Sequence, residues 1–235
     1  MKTPTYGLIG RGRVATHLAR YLELEEQSFS IWHRGLKVLP EEVLRDAQVL
    51  LLAISDDAIE PFLADRPELR KRTVVHFSGS LVVDGVSGLH PLMTFGPQPY
   101  DLETYRAIPF VEERNGLQFR EVFPALSNRS WAIDPENKAL YHALCVLAGN
   151  FTTLLWAKAF TEFEDKLGLP REILRPFLER TAANTLAQGE EALTGSLARG
   201  DRGTIERDLA ALDGDALGEV YRIFARSAGV LEVGA

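Results

Sequence analysis

The stretch "YGLIGRGRVATHLA", Tyr6 to Ala19, constrains the fold more than any other part of the chain. A short apolar run ends in glycine. Gly10, Gly12 and Ala15 then form a G-x-G-x-x-A pattern at the start of a segment with apolar residues at Val14, Leu18, Tyr21 and Leu22, which is helical spacing. Each small residue has its own physical task. Gly10 permits a tight turn, Gly12 lets a pyrophosphate approach the backbone, and Ala15 lets the helix pack closely on the strand. The free N–H groups around Arg11, Gly12, Arg13 and Val14 face outward at the helix start, where the helix dipole favours negative charge. Strand, glycine loop and helix in this order are the context that a dinucleotide fingerprint requires.

The following segments repeat the alternation. "SFSIWHR", "QVLLLAIS" and "TVVHFSG" are strand candidates separated by helical pieces, and "AIPFVEE" and "SWAIDP" read as the last strands. "QVLLLAIS" is apolar nearly throughout, as expected for a central strand covered on both faces. Such alternation predicts an α/β fold, a Rossmann-type doubly wound and mainly parallel sheet. The pattern changes at Asp134. With Asp134 as cap, Pro135 at the first helical position and Gly168 as stop, the sequence predicts one helix of about 30 residues, roughly 45–50 Å long. No later segment resembles a strand. The expected division is a nucleotide-binding domain over residues 1–134 and an all-helical domain over 135–235.

The formal net charge of −7 argues against a broad basic face for nucleic acid. Cys145 is the single cysteine, so no internal disulfide forms, which fits a reducing compartment. The stretch Ala139 to Phe160 is apolar but carries His142, Asn150 and Lys158, whereas a membrane helix needs about 20 clean apolar residues. It reads as a buried helix of a soluble protein. The N-terminus runs directly into a strand-like segment without a leader pattern. A cytoplasmic protein with no membrane partner is expected.

The end of the second strand refines the nucleotide. A site for NAD usually has Asp or Glu there to bond the ribose 2′-hydroxyl. This chain has His33 and Arg34 instead. A guanidinium bonds a 2′-phosphate through two parallel contacts, and a carboxylate would repel it. NADP is therefore the expected cofactor, with Arg34 as main reader and His33 or Arg11 assisting. Ser55 and Asp56, at the carboxyl end of the next central strand, are expected beside the ribose or pyrophosphate; Asp56 has capping of the following helix as a second reading.

The segment "HFSGSLVVDGVSGLHPLMTF" leaves a strand through a Ser-Gly-Ser turn and reaches His90 through a short loop. Pro91 pushes His90 toward an extended conformation and so gives it a defined direction. Ser78, Ser80 and His90 are placed to face a substrate oxygen near the hydride-transfer carbon. An imidazole there can exchange the accompanying proton, its ordinary pKa being near neutrality. The competing reading is a buried histidine satisfied by backbone. His76, inside the strand, is read as structural.

These residues carry a resemblance. The first domain resembles those of prephenate dehydrogenases, pyrroline-5-carboxylate reductases and deazaflavin-dependent NADP oxidoreductases. Prephenate dehydrogenases place a His-Pro pair, preceded by a Ser turn, against substrate at the nicotinamide, although the Ser-to-His spacing is shorter here. The pieces "GLIGRGRVATHLA", "HFSGSL", "LHPLMTF", "YHALCVLAGNF" and "ALTGSLARGD" cover almost the whole chain. They resemble a bacterial family of Rossmann-like proteins with its own helical C-terminal domain, whose reaction is largely unassigned. Relatives commonly have Gln at Met93 and Pro at Ser196. The resemblance implies a 6-phosphogluconate-dehydrogenase-like two-domain fold, NADP binding and a homodimer formed through the helical domain.

In the long helix, Asn150 beside Gly149 is the first choice for a substrate contact, with a helix–helix hydrogen bond as the alternative. His142, Asn150 and Lys158 follow at eight-residue steps and are expected on one stripe, Lys158 being read as a salt bridge to Glu162. Arg199 in "ALTGSLARGD" is read mainly as structural. The expectation is hydride transfer to or from a small carbonyl, imine or acid at the cleft between the domains, with His90, Asn150 and Ser78 as its catalytic residues and no metal. A non-catalytic NADP-binding sensor or scaffold is the alternative.

Overall fold

A computed structural model describes residues 3–232. Seven strands form one sheet: β1 (Tyr6–Ile9), β2 (Phe29–Trp32), β3 (Val49–Leu52), β4 (Thr73–His76), β5 (Ser87–Pro91), β6 (Phe110–Glu113) and β7 (Ser130–Ile133). Their spatial order is β2-β1-β3-β4-β5-β6-β7. All neighbouring pairs are parallel except β5 with β6. All four residues of β1 and of β3 are buried, which is why both segments are apolar without alternation.

Helix α1 (Arg13–Leu24) carries the chain from β1 to β2 on one side, and β3 then pairs with the other side of β1. The sheet therefore reverses direction between β1 and β3, and ligands of open α/β sheets bind in the crevice at such a point. Helices α2 (Pro40–Val43), α3 (Asp56–Ala64), α4 (Leu102–Ala107) and α5 (Phe119–Val122) complete the layers. Two hydrophobic clusters result, one joining β1 and β3 to Leu18, Tyr21, Tyr105, Phe119 and Phe123, the other joining them to Leu44, Ile59, Leu63 and Leu69.

One local expectation is refined and one needs correction. His90, reached from β4 through a loop, itself lies in a strand: β5 pairs it with Val111 across the antiparallel ladder. The extended backbone that Pro91 imposes on its predecessor is the backbone a strand uses. Asp134 does not cap the following helix with its side chain. Its carboxylate accepts from Arg114 Nε at 2.6 Å.

Beyond β7 the described residues contain no strand. A 3₁₀ turn, Pro135–Asn137, leads into α6 (Lys138–Cys145), a π-helical turn over Val146–Phe151, and α7 (Thr152–Asp165). A π-helical turn inside a long helix often marks a functional position. Pro135–Asp165 is long and apolar enough to cross a membrane by length and composition, and none of its most apolar window is buried. The expectation of a buried helix is thereby overturned. Leu140, Leu144, Leu147, Phe151 and Leu154 are all exposed.

The chain forms two compact units, residues 1–154 and 155–235. The change from strand to helix falls at Asp134, and the first unit extends further, through α6 and the π-helical turn. The second unit contains most of α7 with α8 (Arg175–Gln188), α9 (Gly195–Arg199), α10 (Arg202–Ala211) and α11 (Ala216–Ser227). Ile205, Ala225 and Val230 form its small core. Asp201 caps α10 by accepting from Thr204 N, and Gly200 before it is left-handed.

Candidate functional site

The two glycines of the first loop are glycine for different reasons. Gly10 has φ 135°, and a Cβ there would lie 2.2 Å from Ala53 O. Its identity is demanded by the protein itself, at the crossing of β1 and the end of β3. Gly12 has an ordinary φ of −74°, and a Cβ there would meet nothing within 4 Å. Neither backbone conformation nor packing requires a glycine at this position. It caps α1, whose first turn holds no acidic residue, so the free N–H groups face open space with an undiminished positive dipole.

That open space is a cleft of about 920 Å³, within the usual range for cofactor sites. It is lined by Gly10, Arg11, Gly12, Arg13 and Val14 from the first loop, His33 and Arg34 after β2, Ser55 and Asp56 after β3, and Ser78 after β4. All the expected cofactor residues, and Ser78 with them, thus come together on one wall system. Arg11 reaches over the turn after β2, its Nη1 3.5 Å from where a Cβ of Gly35 would stand. The His33 ring accepts from Gly35 N at Nδ1, 3.1 Å away, which holds that turn. Arg11 and Arg34 are exposed and belong to no ion pair among the described residues. Asp56 is the single carboxylate of the lining, and it stands at the opposite end from the β2 turn, beside Ser78.

At the Ser78 end the polar groups are committed to one another. Ser78 Oγ donates to Asp56 Oδ2 at 2.6 Å and accepts from Leu81 N at 2.9 Å and Ser80 N at 3.3 Å. Ser80 Oγ donates to the same carboxylate oxygen at 3.4 Å. Asp56 lies in the first turn of α3, with Ser55 at the cap position, and its side chain holds the Ser-Gly-Ser turn and makes no cap bond. The Asp56 side chain therefore does not serve as the cap of α3.

Gly79 connects this turn to the histidine. A Cβ at Gly79 would lie 2.6 Å from His142 Cδ2 and 3.1 Å from both Cδ2 and Nε2 of His90. His90 is therefore one residue removed from the cleft lining and packs against the turn that forms it. Its Nδ1 lies 2.6 Å from the Tyr141 hydroxyl. Burial, with His142 and Lys138 nearby, lowers the His90 pKa to about 4. The expected near-neutral imidazole is thus a neutral one at physiological pH. Burial also raises the Tyr141 phenol far above its ordinary value, with the Cys145 thiol adding to the effect.

The positions of Tyr141 and His142 are set by Lys138, one helical turn earlier. Lys138 Nζ donates to Glu113 Oε1 at 2.5 Å, both groups being buried. Gly88 on β5 makes room for the pair: a Cβ there would lie 2.5 Å from each partner atom. His76 Nε2 is 3.8 Å from the same carboxylate and has no hydrogen-bond partner, while its Nδ1 accepts from Ser78 N. His76 is fully buried, and desolvation together with Lys138 lowers its pKa to about 4.

Asn150 is exposed on the π-helical turn and is not part of the cleft lining. The neighbouring Gly149 faces Thr94, 3.9 Å from where its Cβ would be. Lys158 pairs with Glu162 at 2.6 Å, as its spacing implied. Tyr141 was not singled out in the sequence. The signal available was its place one helical turn after Lys138 and beside His142, on the stripe opposite the leucines.

The sheet order, the glycine loop and the cleft at the reversal point define a Rossmann-type α/β domain followed by a helical region. Residues 112–228 match the family model described as "Domain of unknown function (DUF2520)". No curated protein matches the chain in sequence. Solved structures match over nearly the full length. A Bacteroides fragilis protein assigned as an NADP oxidoreductase is 24% identical, with 96% of this chain and 97% of that chain covered and a TM-score of 0.78. An imine reductase of Streptomyces aurantiacus is 18% identical, covering 96% and 94%, with a TM-score of 0.66. A 1-pyrroline-5-carboxylate reductase of Streptococcus pyogenes is 13% identical, covering 97% and 99%, with a TM-score of 0.63. At these identities the likeness is one of fold.

Proposed function

We propose that the protein is an NADP(H)-dependent oxidoreductase that transfers a hydride to or from a small carbonyl, imine or acid substrate. The observation that carries this reading is Gly12, a glycine with no internal reason to be one, at a helix N-terminus in a cleft lined by Arg11 and Arg34, which belong to no ion pair among the described residues. The residues present fit the cofactor. The N–H groups from Arg11 to Val14 would hold the pyrophosphate, Arg34 with Arg11 and His33 the 2′-phosphate, and Ser55 a ribose. When bound, the nicotinamide supplies or accepts the hydride.

The protein's own part is positioning and hydrogen bonding. The turn at Ser78 is held rigid by Asp56 and presents Gly79 to His90, so the imidazole stands beside the β4 end of the cleft. His90, neutral and oriented, contacts the reacting oxygen or nitrogen, and Asn150 is proposed to orient the substrate. A scaffold without turnover would have no use for an imidazole held this firmly beside the cofactor cleft. The exposed stripe Leu140, Leu144, Leu147, Phe151 and Leu154 advances by alternating steps of four and three residues, the spacing of a helix–helix seam. It supports a homodimer formed through the helical region. The buried Lys138 pair and the Tyr141–His90 bond fasten the start of this helix to the sheet, which argues against membrane insertion; a cytoplasmic location is part of the proposal.

The test is titration of the purified protein with NADPH and with NADH, followed by cofactor fluorescence. Binding with NADPH preferred supports the reading and leads to a substrate screen on wild type and His90→Ala. Failure to bind either would leave the glycine loop as a turn and the reading without its basis.

A further inference from the structure

We propose that Tyr141 is a positioning residue that fixes His90 as the Nε2–H tautomer, so that the site presents a neutral hydrogen-bond donor to a carbonyl oxygen; the substrate part of this inference rests on the function proposed above. The argument begins with the helix. Lys138, Tyr141, His142 and Cys145 lie at positions i, i+3, i+4 and i+7, one face of α6. The first of them is locked to Glu113, and Gly88 is bare where that pair passes β5. The helix face is therefore held in register before any ligand arrives, and Tyr141 is delivered to His90 at 2.6 Å.

A neutral imidazole has one N–H and one lone pair. The phenol is the stronger donor of the two groups at this bond, and of the two acceptors beside its hydroxyl the imidazole nitrogen is stronger than the Cys145 sulfur, so its O–H points to Nδ1 and the ring proton resides on Nε2. Tyr141 keeps its proton because its surroundings oppose the phenolate. Nε2 is the atom on the Gly79 side of the ring, the side of the turn whose Ser78 lines the cleft. The charged and titratable groups around the ring are His142, Lys138, Asp56 and Tyr141. Lys138 and Asp56 are each engaged by a partner of opposite charge or by hydroxyl donors, and the His142 ring stands edge to face at 6.1 Å with no hydrogen bond to His90 among the described residues, which leaves the tautomer to Tyr141. An N–H donor needs a lone pair on the atom it meets. A carbonyl oxygen has one, and a protonated iminium nitrogen does not.

The experiment is ¹⁵N NMR of the imidazole nitrogens in uniformly ¹⁵N-histidine-labelled protein near pH 7. The chain has five histidines, and His90 is assigned by its loss in His90→Gln. The expected wild-type spectrum has His90 neutral with the proton on Nε2, and Tyr141→Phe gives a mixture of both tautomers. A proton on Nδ1 in the wild type overturns the proposal, and this arm needs no variant to fold. An unchanged tautomer in Tyr141→Phe also overturns it. The same samples are titrated with NADPH: Tyr141 is not in the cleft lining, so binding is expected to survive in the variant. Absence of binding in wild type defeats the proposed function and leaves the tautomer result standing. With active protein, Tyr141→Phe is expected to lower kcat on a carbonyl substrate about tenfold or more, with KM little changed. Turnover of cyclic iminium compounds in preference to ketones and aldehydes would overturn the substrate class.

Discussion

Tyr141 and His90 are separated by 51 residues and meet at 2.6 Å, phenol oxygen to Nδ1. One turn away on the same helix, the Lys138–Glu113 pair ties α6 to the neighbouring strand, β6. Together these two bonds decide where the histidine points.

The two glycines of the loop should separate stability from binding. Gly10→Ala combines a φ of 135° with a backbone oxygen at 2.2 Å, and a loss of about 2–5 kcal/mol in unfolding free energy is expected from strain and overpacking together. Gly12→Val should leave stability within about 0.5 kcal/mol, as for an open surface position. Its NADPH affinity should nevertheless fall by about tenfold or more, because the side chain occupies the space a pyrophosphate needs. Urea melts and fluorescence titrations on the two variants check both halves.

Arg34→Glu should reverse the cofactor preference. A charge-assisted bond contributes about 1.5–3 kcal/mol, so the NADPH-to-NADH affinity ratio should drop by roughly one to two orders of magnitude. An unchanged ratio would show that Arg34 does not read the 2′-phosphate.

The buried pair under the helix should behave asymmetrically. Lys138→Met leaves the Glu113 carboxylate buried without its partner, and a loss of about 3–5 kcal/mol is expected. Replacing both residues, Lys138→Met with Glu113→Leu, should recover most of that loss. Equilibrium unfolding of the single and double variants measures it.

Acid should destabilise the first unit in a defined window. His76 and His90 each have a folded-state pKa of about 4, below the unfolded value of about 6.5. The unfolded chain therefore binds more protons between these values, and stability falls as pH drops from about 6.5 through 4. The contribution is fully present above pH 6.5. His76→Gln should flatten this part of the pH–stability curve, and a slope equal to wild type would contradict the assignment.

The leucine stripe predicts self-association. Leu147→Glu with Phe151→Lys should convert the protein to a monomer by light scattering while leaving NADPH binding in place, since neither residue lines the cleft. A wild-type protein that is already monomeric at micromolar concentration would remove the dimer from the proposal.

What the sequence determined by itself is local and periodic. Gly10 and Gly12 between an apolar run and a helical pattern were enough to locate the cleft. The unbroken apolar runs of β1 and β3 marked them as central strands, and His33 and Arg34 marked the end of β2 as free of acid. These features are legible because each rests on neighbours within a few residues. The partners of His90 were not legible. Tyr141 reaches it from a helix that Lys138 ties to Glu113 on a second strand, and the enabling residues, Gly79 and Gly88, act by having no side chain at two close approaches. The strand placement of His90 depended on pairing with β6, and the exposure of the long helix on what the rest of the chain leaves uncovered. Long-range packing, with no periodic trace in the sequence, decided the orientation and the charge state of the histidine.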